Sequence, residues 1–320
     1  MAPSLDLHIG THKTGTTAVQ YACHTLQPRL AACGVLYPSA ARGPEGEPRY
    51  GHHPLQWGLR GARGHTPSDA AAAWADVARE VAERGPAHVV VSSEGFESLH
   101  QDAVQAVAEH ARQVTEGPVR VVLYLRPLYA YLRSAYKQQL QGGTTALPFE
   151  AFALHKVRTA LPARLAARWA DAFGADALVV RLFDEARRVP GGLLADFLGV
   201  VTAPAPREVP FRDWLGGLDA VHNPSLGDAV APAVARINRL TDGLARVGVP
   251  QQVRRRVRGK LVRSAAQAQR RWPDRFASAV GPLASPDAHD RIRTAIQAAD
   301  FDGLAPWLTP DEIETLRRVG

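Results

Sequence analysis

A segment close to the N-terminus combines the residue types that bind phosphate. Over residues 5–9, apolar and polar residues alternate, which predicts a half-buried β-strand. Over residues 19–30, apolar residues recur at helical spacing. The turn between them reads Gly10-Thr11-His12-Lys13-Thr14-Gly15-Thr16-Thr17. Because a helix N-terminus presents free backbone N–H groups and the positive end of its dipole, and because Lys13 adds a full positive charge, this segment predicts a phosphate site.

The same turn has the spacing of a Walker A loop except at one position. Thr16 stands where the lysine of that loop is expected, and the lysine that is present, Lys13, lies in the middle of the turn. Thr17 occupies the usual position of the Mg²⁺ ligand, and Glu94 follows an apolar strand as a Walker B acid would. A P-loop kinase or nucleotide triphosphatase that uses ATP and Mg²⁺ is therefore an alternative interpretation.

A second segment, over residues 119–140, also carries groups that bind phosphate. The apolar run 119–125 predicts a buried parallel strand, and Pro127 can open the helix that follows. Arg126 stands at the end of the strand, and Ser134 follows eight residues later. The planar guanidinium group of an arginine can hold phosphate through two hydrogen bonds, and a serine hydroxyl can complete the contact.

Together, the run Lys13–Thr17 and the pair Arg126 and Ser134 resemble the sulfotransferases that use 3′-phosphoadenosine 5′-phosphosulfate (PAPS). In that family the first motif holds the 5′-phosphosulfate and the second holds the 3′-phosphate. The resemblance extends from residue 4 to about residue 240. Pro127 directly follows Arg126, whereas animal cytosolic members usually place a proline two residues after the arginine, which indicates a bacterial-type branch.

The resemblance implies both a fold and a reaction. The fold would be α/β, a P-loop-like three-layer sandwich with a central parallel sheet and a helical C-terminal extension. The reaction would be in-line transfer of a sulfuryl group from PAPS to an acceptor hydroxyl on a carbohydrate, a lipid or a secondary metabolite, with no metal required. Cofactor contacts are implied for His12, Lys13, Thr14, Gly15, Thr16, Thr17, Arg126, Ser134 and Phe183. Lys13 would also neutralise charge on the leaving phosphate.

The base that accepts the proton of the acceptor hydroxyl has more than one candidate. Glu94 follows strand 88–92 at the place where cytosolic members carry a catalytic histidine. His53 lies in the Gly/Pro-rich segment 39–68, roughly where glycan-modifying members have a glutamate, and an imidazole titrates near neutral pH. His52, Glu45 and Glu47 are weaker candidates. Phe183 could equally be a core aromatic, and Asn223 and Ser225 could either approach the 3′-phosphate or cap a helix.

Alternating strand and helix patterns predict the domain organisation. We expect residues 1–204 to form an α/β cofactor-binding core and residues 205–320 to form a mostly helical part that packs on it as a cap. Segment 39–68 and the C-terminal helices would then supply the acceptor pocket. The stretch 253–263 is rich in arginine, with apolar residues at every fourth position, and predicts a helix with one apolar stripe.

Composition limits the classes of partner. The chain has 320 residues, of which 46% are hydrophobic, and its formal net charge is +7, which suits anionic ligands, including an anionic acceptor. No recognised nucleic-acid motif accompanies the basic stretch, so we expect a small-molecule or glycan acceptor and no nucleic acid. We see neither a secretory leader nor an eighteen-residue apolar run, so we expect a cytoplasmic protein without a membrane span. Cys23 and Cys33 predict reduced thiols, and His52-His53 lacks the partners of a zinc site.

Overall fold

The computed structural model describes residues 2–42, 50–159, 161–205, 210–216, 218 and 226–319, with only the backbone of Arg63. The strands are β1 Ser4–Gly10, β2 Val35–Leu36, β3 His88–Ser92, β4 Val119–Leu125 and β5 Leu178–Leu182. The helices are α1 Thr16–Thr25, α2 Gln27–Ala32, α3 Pro54–Trp57, α4 Pro67–Arg84, α5 Gln101–Val114, α6 Leu128–Gly142, α7 Phe149–Thr159, α8 Pro162–Phe173, α9 Phe183–Ala186, α10 Gly192–Thr202, α11 Phe211–Leu215, α12 Ala231–Arg246, α13 Gln251–Arg271, α14 Pro273–Val280, α15 Pro286–Gln297 and α16 Pro310–Arg317.

The five strands form one parallel sheet in the order β2-β3-β1-β4-β5. The central strand, β1, pairs with both neighbours: Leu7 lies opposite Val91 of β3 and Val121 of β4. After β1 the chain continues to β2, and after β4 it continues to β5 at the opposite edge. Because the connections diverge from these two adjacent strands, a crevice is expected at their C-terminal ends, where ligands bind in sheets of this type.

Helices cover the sheet on both faces, as parallel sheets require. On one face, α1, α2 and α10 supply Val19, Leu30 and Phe197, which pack with Val90 and Val122 of the sheet. The alternate residues of β1, such as Leu7, are fully buried on the other face. Helices α4 and α8 contribute Trp74 and Trp169, both of which contact the ring of Phe96. The predicted α/β class, with its central parallel sheet between helical layers, is confirmed.

Inter-residue contacts group the chain into two compact units. The first comprises Met1–Arg126, Pro162–His222 and Phe301–Ile313, and the second comprises Pro127–Leu161, Asn223–Asp300 and Glu314–Gly320. The units therefore interleave along the chain, whereas the sequence suggested one boundary after residue 204. The division into a core and a cap stays a prediction.

From residue 210 onwards, the described chain contains helices and turns and no strand, so the helical C-terminal extension is confirmed. Across the ranges that the structure describes, every helix is too short or too polar to cross a lipid bilayer.

Candidate functional site

The turn between β1 and α1 adopts a backbone conformation that restricts its sequence. Gly10, Lys13 and Gly15 have φ angles of 100°, 67° and 76°. A lysine in the left-handed region is uncommon, and such residues concentrate at functional sites. At position 15, a Cβ atom would lie 2.4 Å from Cδ2 of Leu193, so this position favours glycine for its φ angle and for the space that is available.

Hydrogen bonds fix the shape of this turn. The backbone N–H and the hydroxyl of Thr11 both donate to the carbonyl of Tyr124 in β4, each at 3.1 Å. The hydroxyl of Thr14 donates to the carbonyl of Thr11 at 2.6 Å. Nη1 of Arg126 donates to the carbonyl of Lys13 at 3.0 Å. The turn is therefore tied to β4 at two points, and the proton of Thr14 is used within the turn.

Helix α1 begins directly after the turn. Within the described chain, no side chain caps Gly15 and no acidic residue lies in the first turn of the helix. Thr16 is buried and Thr17 is half-buried in that turn. Since the first N–H groups of a helix lack partners within the helix, this end offers donors to an anion.

Arg126, predicted to hold phosphate, lies between this turn and Phe183. Its guanidinium carbon is 5.3 Å from the ring centre of Phe183, and that of Arg187 is 5.6 Å from the same ring. Phe183 begins α9 directly after β5 and is buried, so it packs at the strand ends beneath two cations. Ser134 is half-buried on α6, in the second unit.

The two principal candidates for the base meet at the end of β3. Glu94 begins a short 3-10 turn after this strand, and His53 precedes α3. Nδ1 of His53 lies 4.0 Å from Oε2 of Glu94 and 2.9 Å from Oγ of Ser93. Their side chains are 22% and 23% exposed, so both can contact a ligand. The structure thus brings together two residues that are 41 positions apart in the sequence.

The surroundings of Glu94 keep its carboxyl group ionised at neutral pH. Burial by itself would raise its pKa, but the His53 side chain and the amide of Gln20 outweigh that effect, so the pKa of Glu94 is lowered. Nε2 of Gln20 donates to Oε2 of Glu94 at 2.9 Å. An ionised carboxylate that remains partly accessible can accept a proton.

The weaker candidates for the base are placed differently. His52 is fully buried, and its Nε2 donates to the carbonyl of Pro38 at 3.0 Å while its Nδ1 accepts from the backbone N–H of Ser92 at 3.1 Å. Burial lowers the pKa of His52 to about 3, so the ring is neutral and both of its nitrogens are engaged. Glu45, Glu47, Asn223 and Ser225 lie outside the described residues.

The sequence patterns did not indicate Glu97, which holds the turn between β1 and α1 through His12. Its Oε2 accepts from the backbone N–H of His12 at 2.7 Å and lies 2.5 Å from Nδ1 of the same residue. Burial alone would lower the pKa of His12, but the hydrogen bond and the charge of Glu97 raise it above its ordinary value. The raised pKa favours the protonated, positively charged form of His12 beside Lys13. The sequence feature that could have indicated Glu97 is its position three residues after Glu94, which places both glutamates on one 3-10 turn.

A buried polar cluster lies beneath the site. Oγ of Ser92 is 2.8 Å from Nδ1 of His8 and accepts from Nε2 of Gln20 at 3.3 Å. Burial lowers the pKa of His8 to about 4, so this ring is neutral at pH 7. Within the described ranges, no three His, Cys, Asp or Glu side chains are arranged to hold a metal ion.

The chain was compared with protein families, with curated proteins and with solved structures. No family model matches this chain, and no curated protein matches it. Among solved structures, a sulfotransferase from Alicyclobacillus acidocaldarius is similar to this chain, with a TM-score of 0.41 and 17% sequence identity. The match covers 76% of this chain and 91% of that chain.

We predict that Glu97→Gln will lower the pKa of His12, because the substitution removes the charge that opposes burial. The imidazole resonances of His12 should then titrate at a lower pH in an NMR pH titration. Glu116→Gln, which changes an exposed glutamate on the same unit, is the matched control and should leave this titration unchanged. An unaltered pKa of His12 in Glu97→Gln would show that the carboxylate does not hold the charge of this ring.

Proposed function

We propose that this protein is a sulfotransferase that moves a sulfuryl group from PAPS to an acceptor hydroxyl. The observation that carries the proposal is the arrangement around the β1–α1 turn. A cationic, hydrogen-bonded turn at a helix N-terminus lies on one side, with Arg126 attached to it, and an ionised carboxylate beside an imidazole lies on the other. Such a site offers anion binding and proton acceptance together.

The turn would bind the phosphosulfate end of the donor. Lys13 and the N-terminus of α1 would stabilise the charge that grows on the bridging oxygen as the sulfur–oxygen bond breaks, and His12 would add to this in its protonated form, which its raised pKa favours. Arg126 would hold the 3′-phosphate of the donor. The turn is fixed by its own hydrogen bonds and by Arg126, so its backbone donors need little reorganisation when the charge develops.

Glu94 would act as the base, with His53 as the second candidate for the same role. The acceptor oxygen forms a bond to sulfur while its proton passes to the base, and adenosine 3′,5′-bisphosphate leaves with the electrons of the broken bond. The lowered pKa of Glu94 leaves its carboxylate free of a proton at neutral pH, as a base requires, although it also makes this group a weaker base than one that titrates near that pH. The remaining role of His53 would be to orient the acceptor.

The alternative is a kinase or nucleotide triphosphatase that uses ATP and Mg²⁺. It would require Glu94 to help hold Mg²⁺. However, the oxygen of Glu94 that faces His53 also accepts a hydrogen bond from Gln20, so it is already engaged within the protein. The mid-turn position of Lys13 also differs from that of a Walker A lysine.

The donor site can be tested by calorimetric titration without metal. We expect adenosine 3′,5′-bisphosphate to bind more tightly than 5′-AMP, and Arg126→Ala to remove about 10- to 100-fold of that preference, since hydrogen bonds to charged groups contribute about 1.5–3 kcal/mol. Arg187→Ala is the matched control, because Arg187 contacts the same ring as Arg126. Equal binding of the two nucleotides by the wild type, or binding of ATP only with Mg²⁺, would contradict the proposal.

Lys13→Ala should reduce turnover about 10²- to 10³-fold, the usual effect of removing one electrostatic stabiliser from a transition state. The measurement is release of adenosine 3′,5′-bisphosphate from PAPS in the presence of a panel of sugar, lipid and phenolic hydroxyl compounds. Lys156→Ala, in the second unit, is the control and should behave like the wild type. Turnover of Lys13→Ala close to the wild-type rate would exclude the proposed role of this lysine.

The same assay separates the two candidates for the base. If Glu94 accepts the proton, Glu94→Gln should lower kcat by about 10²- to 10⁴-fold, the usual contribution of a general base, and His53→Gln should lower it less. In the wild type, kcat should fall only as the pH decreases through the lowered pKa of Glu94 and should be flat near neutrality. A larger loss in His53→Gln, with a rate that changes near neutral pH, would assign the base to His53.

A further inference from the structure

Helix α13 belongs to an unusually cationic segment. Residues 229–273 include eleven Lys and Arg residues and a single acid, Asp242, whereas the whole chain has 38 and 31 residues of these two kinds. The rest of the chain therefore has a small net negative charge, and the positive charge of the protein is concentrated here. None of the residues proposed above to bind the donor or accept the proton lies in this segment.

Two arginines of α13 have structural partners in the second unit. Arg258 donates to Oδ1 of Asn238 and to the carbonyl of Gln141, both at 2.8 Å, and also to the carbonyl of Leu140. These carbonyls lie at the C-terminal end of α6, where a helix favours a cation. Arg254 donates to the carbonyl of Val249 at 3.0 Å. One side of the helix is thus held by its arginines.

The other side presents a cationic stripe to solvent. Arg256, Lys260, Arg263 and Arg270 are spaced by four, three and seven residues, which places them along one face of the helix. All four are exposed, and none forms an ion pair with any residue that the structure describes. At 1.5 Å per residue, the stripe is about 21 Å long.

Exposed apolar side chains lie on this helix and in the residues that flank it. Val253, which the sequence predicts in the apolar stripe of this helix, lies three residues before Arg256 on the same face and is 46% exposed. Val247, in the turn before α13, is 76% exposed, and Trp272, directly after it, is 50% exposed. With Leu240 at 55%, these account for four of the five large exposed apolar residues found in the described ranges.

We propose that this surface, formed by Arg256, Lys260, Arg263, Arg270, Val247, Val253 and Trp272, binds an anionic lipid bilayer. The cations attract phosphate headgroups, and the apolar side chains can enter the interfacial region, where tryptophan is favoured. Nucleic acid would satisfy the cations equally well. However, it would leave the aliphatic side chains of Val247 and Val253 in water. A lipid surface fits both the cations and the exposed apolar side chains. The binding is peripheral.

The test is co-sedimentation of the full chain with vesicles of phosphatidylcholine alone and of phosphatidylcholine with phosphatidylglycerol. We expect binding only to the anionic vesicles, and weaker binding at high salt, because screening shortens the range of charge attraction. In the triple variant Arg256→Gln, Lys260→Gln, Arg263→Gln, partitioning should fall about 100-fold, since each cation contributes roughly fivefold.

A matched triple variant controls for net charge. Arg84→Gln, Arg112→Gln and Arg188→Gln remove the same charge from exposed positions of the first unit and should leave vesicle binding unchanged. Equal losses in the two triple variants would contradict a specific surface. So would failure of the wild-type protein to bind anionic vesicles.

A double variant, Val247→Ser with Val253→Ser, distinguishes a bilayer from a nucleic acid. It should weaken binding to anionic vesicles several-fold while leaving any binding to duplex DNA unchanged. Binding of the wild type to duplex DNA but not to anionic vesicles would overturn the proposal. Nucleotide titration is independent of these measurements, so this proposal and the proposed function can fail separately.

Discussion

Ser92 is the residue on which the geometry of the candidate site depends. It ends β3, is completely buried, and uses its backbone and its side chain to connect three other segments. Its N–H donates to the ring of His52, and its carbonyl accepts from the N–H of His52 at 2.7 Å. Its hydroxyl contacts His8 of β1 and Gln20 of α1. A buried polar group must be hydrogen-bonded, so these contacts fix which segments meet here.

The consequences reach both candidates for the base, Glu94 and His53. Docking of His52 on Ser92 fixes the backbone that carries the next residue, His53. Gln20, held by the Ser92 hydroxyl, also donates to Glu94, two residues beyond Ser92. These hydrogen bonds attach the part of the Gly/Pro-rich segment that carries His52 to the end of β3. They thereby place the imidazole of His53 close to the carboxylate of Glu94. The site is positioned by a rigid strand, although one of its residues comes from a loop.

One 3-10 turn carries both Glu94 and Glu97, and each of these glutamates faces a histidine. The two carboxylate–imidazole pairs differ in the distance between their side chains. Glu97 is bonded to both the backbone and the ring of His12, so it is committed to anchoring the turn after β1. Glu94 and His53 stand 4.0 Å apart. A fully bonded pair fixes geometry, whereas a looser and more accessible pair leaves room for a ligand. The two pairs therefore suit different tasks, one structural and one chemical.

Much of this could be predicted from the sequence, for physical reasons. Runs such as His88–Ser92 are β-branched and buried on both faces, and the turn after β1 has its own residue signature. Because parallel strands end at one edge of a sheet, Glu94 and Arg126 could be placed near Lys13. The helical spacing over residues 19–30 belongs instead to two helices, because Pro28 has no N–H to continue the first and lies in the first turn of the second. The approach of His53 to Glu94 and that of Glu97 to His12 depend on tertiary contacts, which local sequence patterns do not encode.

The left-handed conformation of Lys13 links the shape of the turn to its function. For a residue other than glycine, this conformation costs about 1–2 kcal/mol, so the surrounding contacts must compensate for it. Three do so on adjacent residues: Glu97 holds His12, Thr14 holds the carbonyl of Thr11, and Arg126 holds the carbonyl of Lys13 itself. Folding of the protein therefore already compensates for the free energy needed to order this turn, before an anion binds. A turn ordered in advance binds growing charge without reorganising, which is the physical requirement for electrostatic stabilisation of a transition state.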